Sequence, residues 1–155
     1  MIKDSGTPRR EFDTGAVRDI QEGRGRCDLL PLDVVGCVMA DPTLIKIGAF
    51  TETGELKHLY QVLTVPGSFG NIPTMFLEVS KHFEEGALKY GEYNWQKGIP
   101  VRCYIDSAVR HYLKHIRGDN DETHDRAFVW NILCCIWTCK HMPELNDFKR
   151  EDSEP

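Results

Sequence analysis

Glu122-Thr123-His124-Asp125 is the stretch richest in reactive groups. Its two carboxylates are three residues apart, so at a helix start both can share one face. Carboxylate oxygens are hard donors suited to Mg²⁺, with Mn²⁺ the alternative ion. Acidic residues in a first helical turn also favour the helix dipole, which is a purely structural reading. The sequence turns apolar one turn later, from Phe128 to Trp137, and this sets the carboxylates at the edge of a core. Glu78, Glu84 and Glu85 form a second acidic group, with Glu78 and Glu85 two turns apart on one helix face. Two such helices facing each other would make a divalent-metal cage. The alternative is a solvated acidic face balanced by Lys81 and Lys89.

Histidines offer a third arrangement. His111 and His115 stand at i, i+4, a spacing that can ligate a transition metal. The bland alternative is one buried, hydrogen-bonded histidine and one surface histidine. The pair His124-Asp125 resembles the HD metal phosphohydrolases, and that resemblance would make His111 the upstream ligand and Asp147 the downstream one. A fourth group is the loop from Lys89 to Gly98. Tyr93 and Trp95 can stack on a nucleobase, Asn94 can hydrogen-bond a base or sugar, and Lys89 and Lys97 can meet phosphates. Equally, Trp95 can anchor a packed loop. Asn131 is a lone amide in an apolar run and needs a partner once buried, either in the fold or in a ligand.

The elements that must hold these residues are helices. Met75, Phe76, Val79, Phe83, Ala87 and Tyr90 trace an apolar stripe over 73–90, and Glu78, His82, Glu85 and Lys89 trace a polar one. Gly91 is the expected stop. A helix over 102–117 places Ile105, Ala108, Val109, Tyr112 and Ile116 inwards and ends at Gly118. The last helix is expected to start near Asp121 and run to about His141, apolar nearly all round and so central. An earlier helix carries Leu32, Val35, Val38 and Met39 as its stripe and ends at Asp41-Pro42. Residues 43–66 read either as two short helices, which we favour, or as a hairpin. The fold class is therefore all-α, a small antiparallel helical bundle with an N-terminal arm. The expected organisation is a flexible arm over 1–28, a helical nucleotide-binding domain over 29–142 and a polar tail over 143–155.

A chain of 155 residues fits one domain. Its net charge of −5 argues against general nucleic-acid binding, which needs a basic surface. A local basic pocket for a small anion remains compatible with it. None of the six cysteines forms a CxxC pair, and Cys134, Cys135 and Cys139 lie in the apolar run. Buried free thiols and a reducing, cytoplasmic location in a bacterial host cell are the expectation. The first residues, MIKDSGTPRREFD, do not read as a signal peptide, and no stretch is long and apolar enough for a membrane span. A central apolar helix often completes its core by self-association, so a homo-oligomer is expected.

Three stretches carry a family resemblance: DTGAVRDIQEGRGRCDLLP, HFEEGALKYGEYNWQKGIP and DSAVRHYLKHIRGDNDETHDRAFVWNIL. Together they resemble the dATP/dGTP diphosphohydrolase N-terminal domain family, common in phages and prophages. The resemblance implies cleavage of a purine deoxynucleoside triphosphate to monophosphate and pyrophosphate. A looser likeness is to MazG-like helical pyrophosphatases, which bind Mg²⁺ through ExxE followed by ExxD. Here ExxD is present as Glu122 and Asp125, whereas Glu78 is followed by Lys81 and Glu85 by Leu88. The implied mechanism is attack of water on the α-phosphorus. Glu84 or Glu85 with Glu122 and Asp125 would hold the metal, and Arg18, Lys97 and Arg110 would neutralise charge. Lys89, His111, His124 and Asn131 complete the expected substrate contacts, with the base held by Tyr93, Asn94 and Trp95. The other reading is a non-catalytic phage protein that sequesters a signalling nucleotide.

Overall fold

A computed structural model describes residues 8–19, 22–40 and 69–147. The segment 43–66, read above as helices or a hairpin, lies outside the described residues. Among those residues the order is a two-stranded hairpin, β1 (Arg9–Glu11) and β2 (Val17–Asp19), then four helices. The helices are α1 (Leu32–Ala40), α2 (Ile72–Tyr90), α3 (Val101–Arg117) and α4 (His124–His141). The chain is thus all-α in class, as expected, with the small hairpin inside the arm as an addition.

Local chemistry sets the helix ends. The Asn71 side chain accepts the Thr74 amide at 2.9 Å and so caps α2, with Pro73 in the first turn where its missing N–H is no loss. Gly91 and Gly118 end α2 and α3 at φ 91° and 86°, a conformation that disfavours other residues. The start of α4 departs from expectation. Asp121 is not in the helix, because its carboxylate reaches forward to His124 Nε2 at 2.8 Å. Glu122 and Asp125 therefore flank a helix start instead of sharing a helical face.

Helix α4 is the centre. Phe128, Ile132, Leu133, Cys134 and Cys135 are all buried, and α1, α2 and α3 pack around them. Helices α3 and α4 form an antiparallel hairpin in which His111 meets His124 and Tyr112 meets Phe128. In α1 Val38 of the expected stripe is buried and Val35 packs against the core, whereas Leu32 and Met39 face solvent and Val34 takes an inward place instead. Ile116 likewise ends up exposed on α3.

The arm docks on α2. Both oxygens of Glu84 accept arm amides, from Gly23 at 3.1 Å and Gly25 at 2.8 Å, and Arg26 N donates to the Ser80 carbonyl at 3.0 Å. Gly25 has φ +85°, and a Cβ there would run into Ser80 Oγ and the α2 backbone. Only glycine lets the arm lie this close. Arg26 then pairs with Asp28 and Glu92, and Tyr93 Oη donates to the Asp28 carbonyl at 3.3 Å.

Asp33 ties α1 to the end of α4, 2.6 Å from His141 Nε2 and 3.1 Å from Lys140 Nζ. Burial alone would raise this carboxyl, but hydrogen bonds from His141 and Lys140 outweigh it and bring it down to about 2. A carboxyl depressed on folding contributes fully above its ordinary value of 3.8 and loses that contribution as pH falls towards 2. The side chain is more than a third exposed, so screening limits the effect to about 1 kcal/mol at most. Asp33→Asn is expected to lower the Tm by about 2–4 °C at pH 7 and by progressively less below pH 4. A pH-independent difference in thermal melts would remove this ion pair from the account.

Candidate functional site

The polar stripe of α2 faces the start of α4. Glu78 pairs with Lys81 on its own helix at 2.8 Å and with Arg126 on α4. His82 lies within electrostatic reach of Glu85 and Glu122, and Lys89 within reach of Glu122. His82 packs against Trp130, ring centroids 5.7 Å apart. Burial pushes it below the ordinary imidazole value, against the opposing pull of Glu85 and Glu122. Its Nδ1 is buried without a hydrogen-bond partner among the described residues.

Beside this stripe is a cleft of about 400 Å³. Leu29 just after the arm, Phe83 and Ala87 of α2, Tyr93 and Asn94 of the following loop, and Trp130 of α4 line it, and His82 and Trp95 contribute edges. The lining is apolar and aromatic, with few polar groups. This is the usual make-up of a pocket for a flat organic ligand. Tyr93 holds a left-handed backbone conformation, φ 55°, at the mouth.

A second cluster sits where α3 hands over to α4. His111 Nδ1 is 2.9 Å from His124 Nδ1, and His124 is almost fully buried. Burial lowers the His111 pKa, while Glu122 works to raise it. Ligand atoms of His111, Glu122 and His124 lie within 4.8 Å of one another, and so do those of Asp119, Asp121 and His124. Either trio has donors that could hold a divalent ion. Glu122 makes no ion pair among the described residues, whereas Asp119 is held by Arg117 at 2.7 Å.

The expected site residues divide accordingly. Glu85, Lys89, Glu122, His111 and His124 gather along the α2–α4 face. Asp125 is half-buried in the first turn of α4, its Oδ1 accepting the Arg126 amide at 2.8 Å, and belongs to neither trio. Glu84 is occupied by the arm. Trp95 is 4% exposed, edge-on to Trp137 at 4.9 Å and Phe83 at 5.9 Å, a core anchor that shows the cleft only an edge. Asn131 donates to the Ala127 carbonyl of its own helix at 2.8 Å. Arg110 pairs with Asp106 on an exposed flank of α3, and Lys97 is exposed at the end of a short turn. Arg18 is exposed on β2 opposite Arg10. The described contacts of the arm with the helical body are with α2 and with Glu92 and Tyr93 of the loop after it.

Asp147 accepts the Arg102 amide at 2.8 Å, at the opposite end of α3 from His111, so the ligand set of the HD reading is not assembled. His115 is in neither candidate trio. His82 and Trp130 border the cleft and were not among the expected site residues. The sequence put His82 in the polar stripe, but only the packing of α2 on α4 reveals the cleft beside it.

A family model described as dATP/dGTP diphosphohydrolase, N-terminal, matches residues 51–148. The match takes in α2, α3, α4 and the loops between them, and leaves the arm outside. No curated protein and no solved structure matches the chain.

Proposed function

Because the chain belongs to the dATP/dGTP diphosphohydrolase N-terminal family, we propose that it hydrolyses a purine deoxynucleoside triphosphate to monophosphate and pyrophosphate. The observation that carries this reading is the aromatic cleft adjoining a carboxylate- and histidine-bearing face, with His82 belonging to both. The base enters between Tyr93 and Trp130, with Asn94 offering both donor and acceptor to its edge. The triphosphate then extends towards Glu85 and Glu122, and Lys89 is the cation placed to offset its charge.

In the reaction, water attacks the α-phosphorus, a new P–O bond forms, and the bond to the bridging oxygen breaks in line with it. Pyrophosphate departs with that electron pair. Glu85 is exposed on this face, makes no ion pair among the described residues and is the carboxylate we assign to take the water's proton. Glu122, with Asp125 nearby, would hold a divalent cation, Mg²⁺ or Mn²⁺. Such an ion neutralises phosphate oxygens and lowers the pKa of a bound water.

The cleft itself is testable. Ala87→Phe plugs it, and we expect this variant to bind non-hydrolysable dATP and dGTP analogues about 10–100-fold more weakly, the scale of one lost base stack. Its thermal unfolding should stay close to the parent's. Undiminished binding by a folded variant would place the nucleotide elsewhere.

One observation favours a second reading, nucleotide capture without turnover. Of the three α2 carboxylates, Glu78 is paired with Lys81 and Arg126 and Glu84 with the arm. A sequestering protein would bind nucleotide in EDTA and return it intact on denaturation.

A further inference from the structure

We propose that His111, His124 and Glu122 form a site for a nitrogen-seeking divalent ion of the Mn²⁺, Co²⁺ and Zn²⁺ class, with Asp121 as the carboxylate that orients His124. A neutral imidazole carries one N–H. The Asp121 carboxylate can only accept, and it lies 2.8 Å from His124 Nε2, so that nitrogen carries the hydrogen. The lone pair of His124 is then on Nδ1, inside the fold and 2.9 Å from His111 Nδ1.

A carboxylate behind a histidine, fixing the tautomer so that the far nitrogen is bare, is the arrangement found behind metal-ligating imidazoles. A hydrogen bond between the two rings would account for the His111 contact but not for Glu122. A Glu122 carboxylate oxygen comes within 4.8 Å of one ring nitrogen of each histidine, and Glu122 makes no ion pair among the described residues. The overlapping trio of Asp119, Asp121 and His124 is the poorer host. Arg117 already neutralises Asp119, and His124 would have to give up its bond to Asp121. Two imidazoles and one carboxylate favour transition-metal ions over Mg²⁺, which prefers oxygen throughout, and of the two ions the hydrolase reading admits this site therefore selects Mn²⁺.

The use of this ion rests on the hydrolase reading above, but its binding does not. The test is therefore made with metal alone. Full-length chain freed of metal is titrated with Co²⁺ and followed by visible absorption. The expected result is d–d bands saturating at one equivalent. Glu122→Gln and His111→Ala should each weaken Co²⁺ binding at least tenfold, and Asp121→Asn by about 10–100-fold. Glu122 is exposed and precedes α4, so its variant should fold even if a histidine variant does not. Absence of the bands in folded protein would overturn the proposal. So would equal Co²⁺ affinity in Glu122→Gln and the parent. A chain that binds Co²⁺ as described yet leaves every nucleotide intact would sink the hydrolase reading and leave this one standing.

Discussion

Glu122→Gln should cost at least about a hundredfold in the rate of nucleotide hydrolysis while leaving the fold unchanged. The expectation follows from position. Glu122 lies in the turn before α4, exposed, with His82, Lys89 and His111 all in electrostatic reach. Removing its charge takes away the anionic donor of the proposed metal site, and even outer partners of metal ligands are worth 10–100-fold, so roughly a hundredfold is a conservative figure. Exposed substitutions away from packed features usually stay within about 0.5 kcal/mol of the parent in stability. Steady-state rates and chemical denaturation, measured on the same preparation, check both halves. Parent-like turnover would remove Glu122 from the site. Asp125→Asn is the companion measurement, and a smaller loss there would fit its absence from the histidine cluster.

The second large effect is on stability. Trp95→Ala is expected to destabilise the fold by about 3–5 kcal/mol, the usual cost of emptying a buried tryptophan site. That is a sizeable share of the roughly 5–15 kcal/mol that holds a domain together. Trp95 wedges between Phe83 of α2 and Trp137 of α4, and its carbonyl accepts the Tyr104 hydroxyl of α3 at 3.3 Å. The Trp95 side chain thus ties together α2 and α4, the two helices that frame the cleft, and its backbone adds a link to α3. A loss below about 1 kcal/mol in denaturant titration would mean that Trp95 lines a binding surface and anchors little.

Much of this fold was legible because apolar periodicity and glycine stops are local signals. The stripes of α2 and α4 and the stops at Gly91 and Gly118 needed no tertiary information. Where the sequence misled, a competing tertiary contact decided. Asp121 looked like a helix start and instead serves His124. Glu84 looked like a metal ligand and instead receives arm amides from nearly 60 residues earlier in the chain. Trp95 was legible as either base platform or anchor, and only its burial chose between them. The meeting of His111 with His124 depended on α3 and α4 folding back on each other, which the few residues between Gly118 and the start of α4 imply but do not phase. His82 stayed hidden for a similar reason: its stripe looked polar because one side of it faces Glu122, while the other borders the cleft.

The most direct test of the central claim is product analysis. The full chain is incubated with each of the four deoxynucleoside triphosphates and their ribose counterparts, with Mg²⁺ or Mn²⁺, and the products are separated by anion exchange. The account predicts that dATP or dGTP yields monophosphate and pyrophosphate in equal amounts, without diphosphate or free phosphate, and that EDTA abolishes the reaction. Quantitative recovery of every nucleotide intact, or release of tripolyphosphate or orthophosphate in place of pyrophosphate, would contradict it.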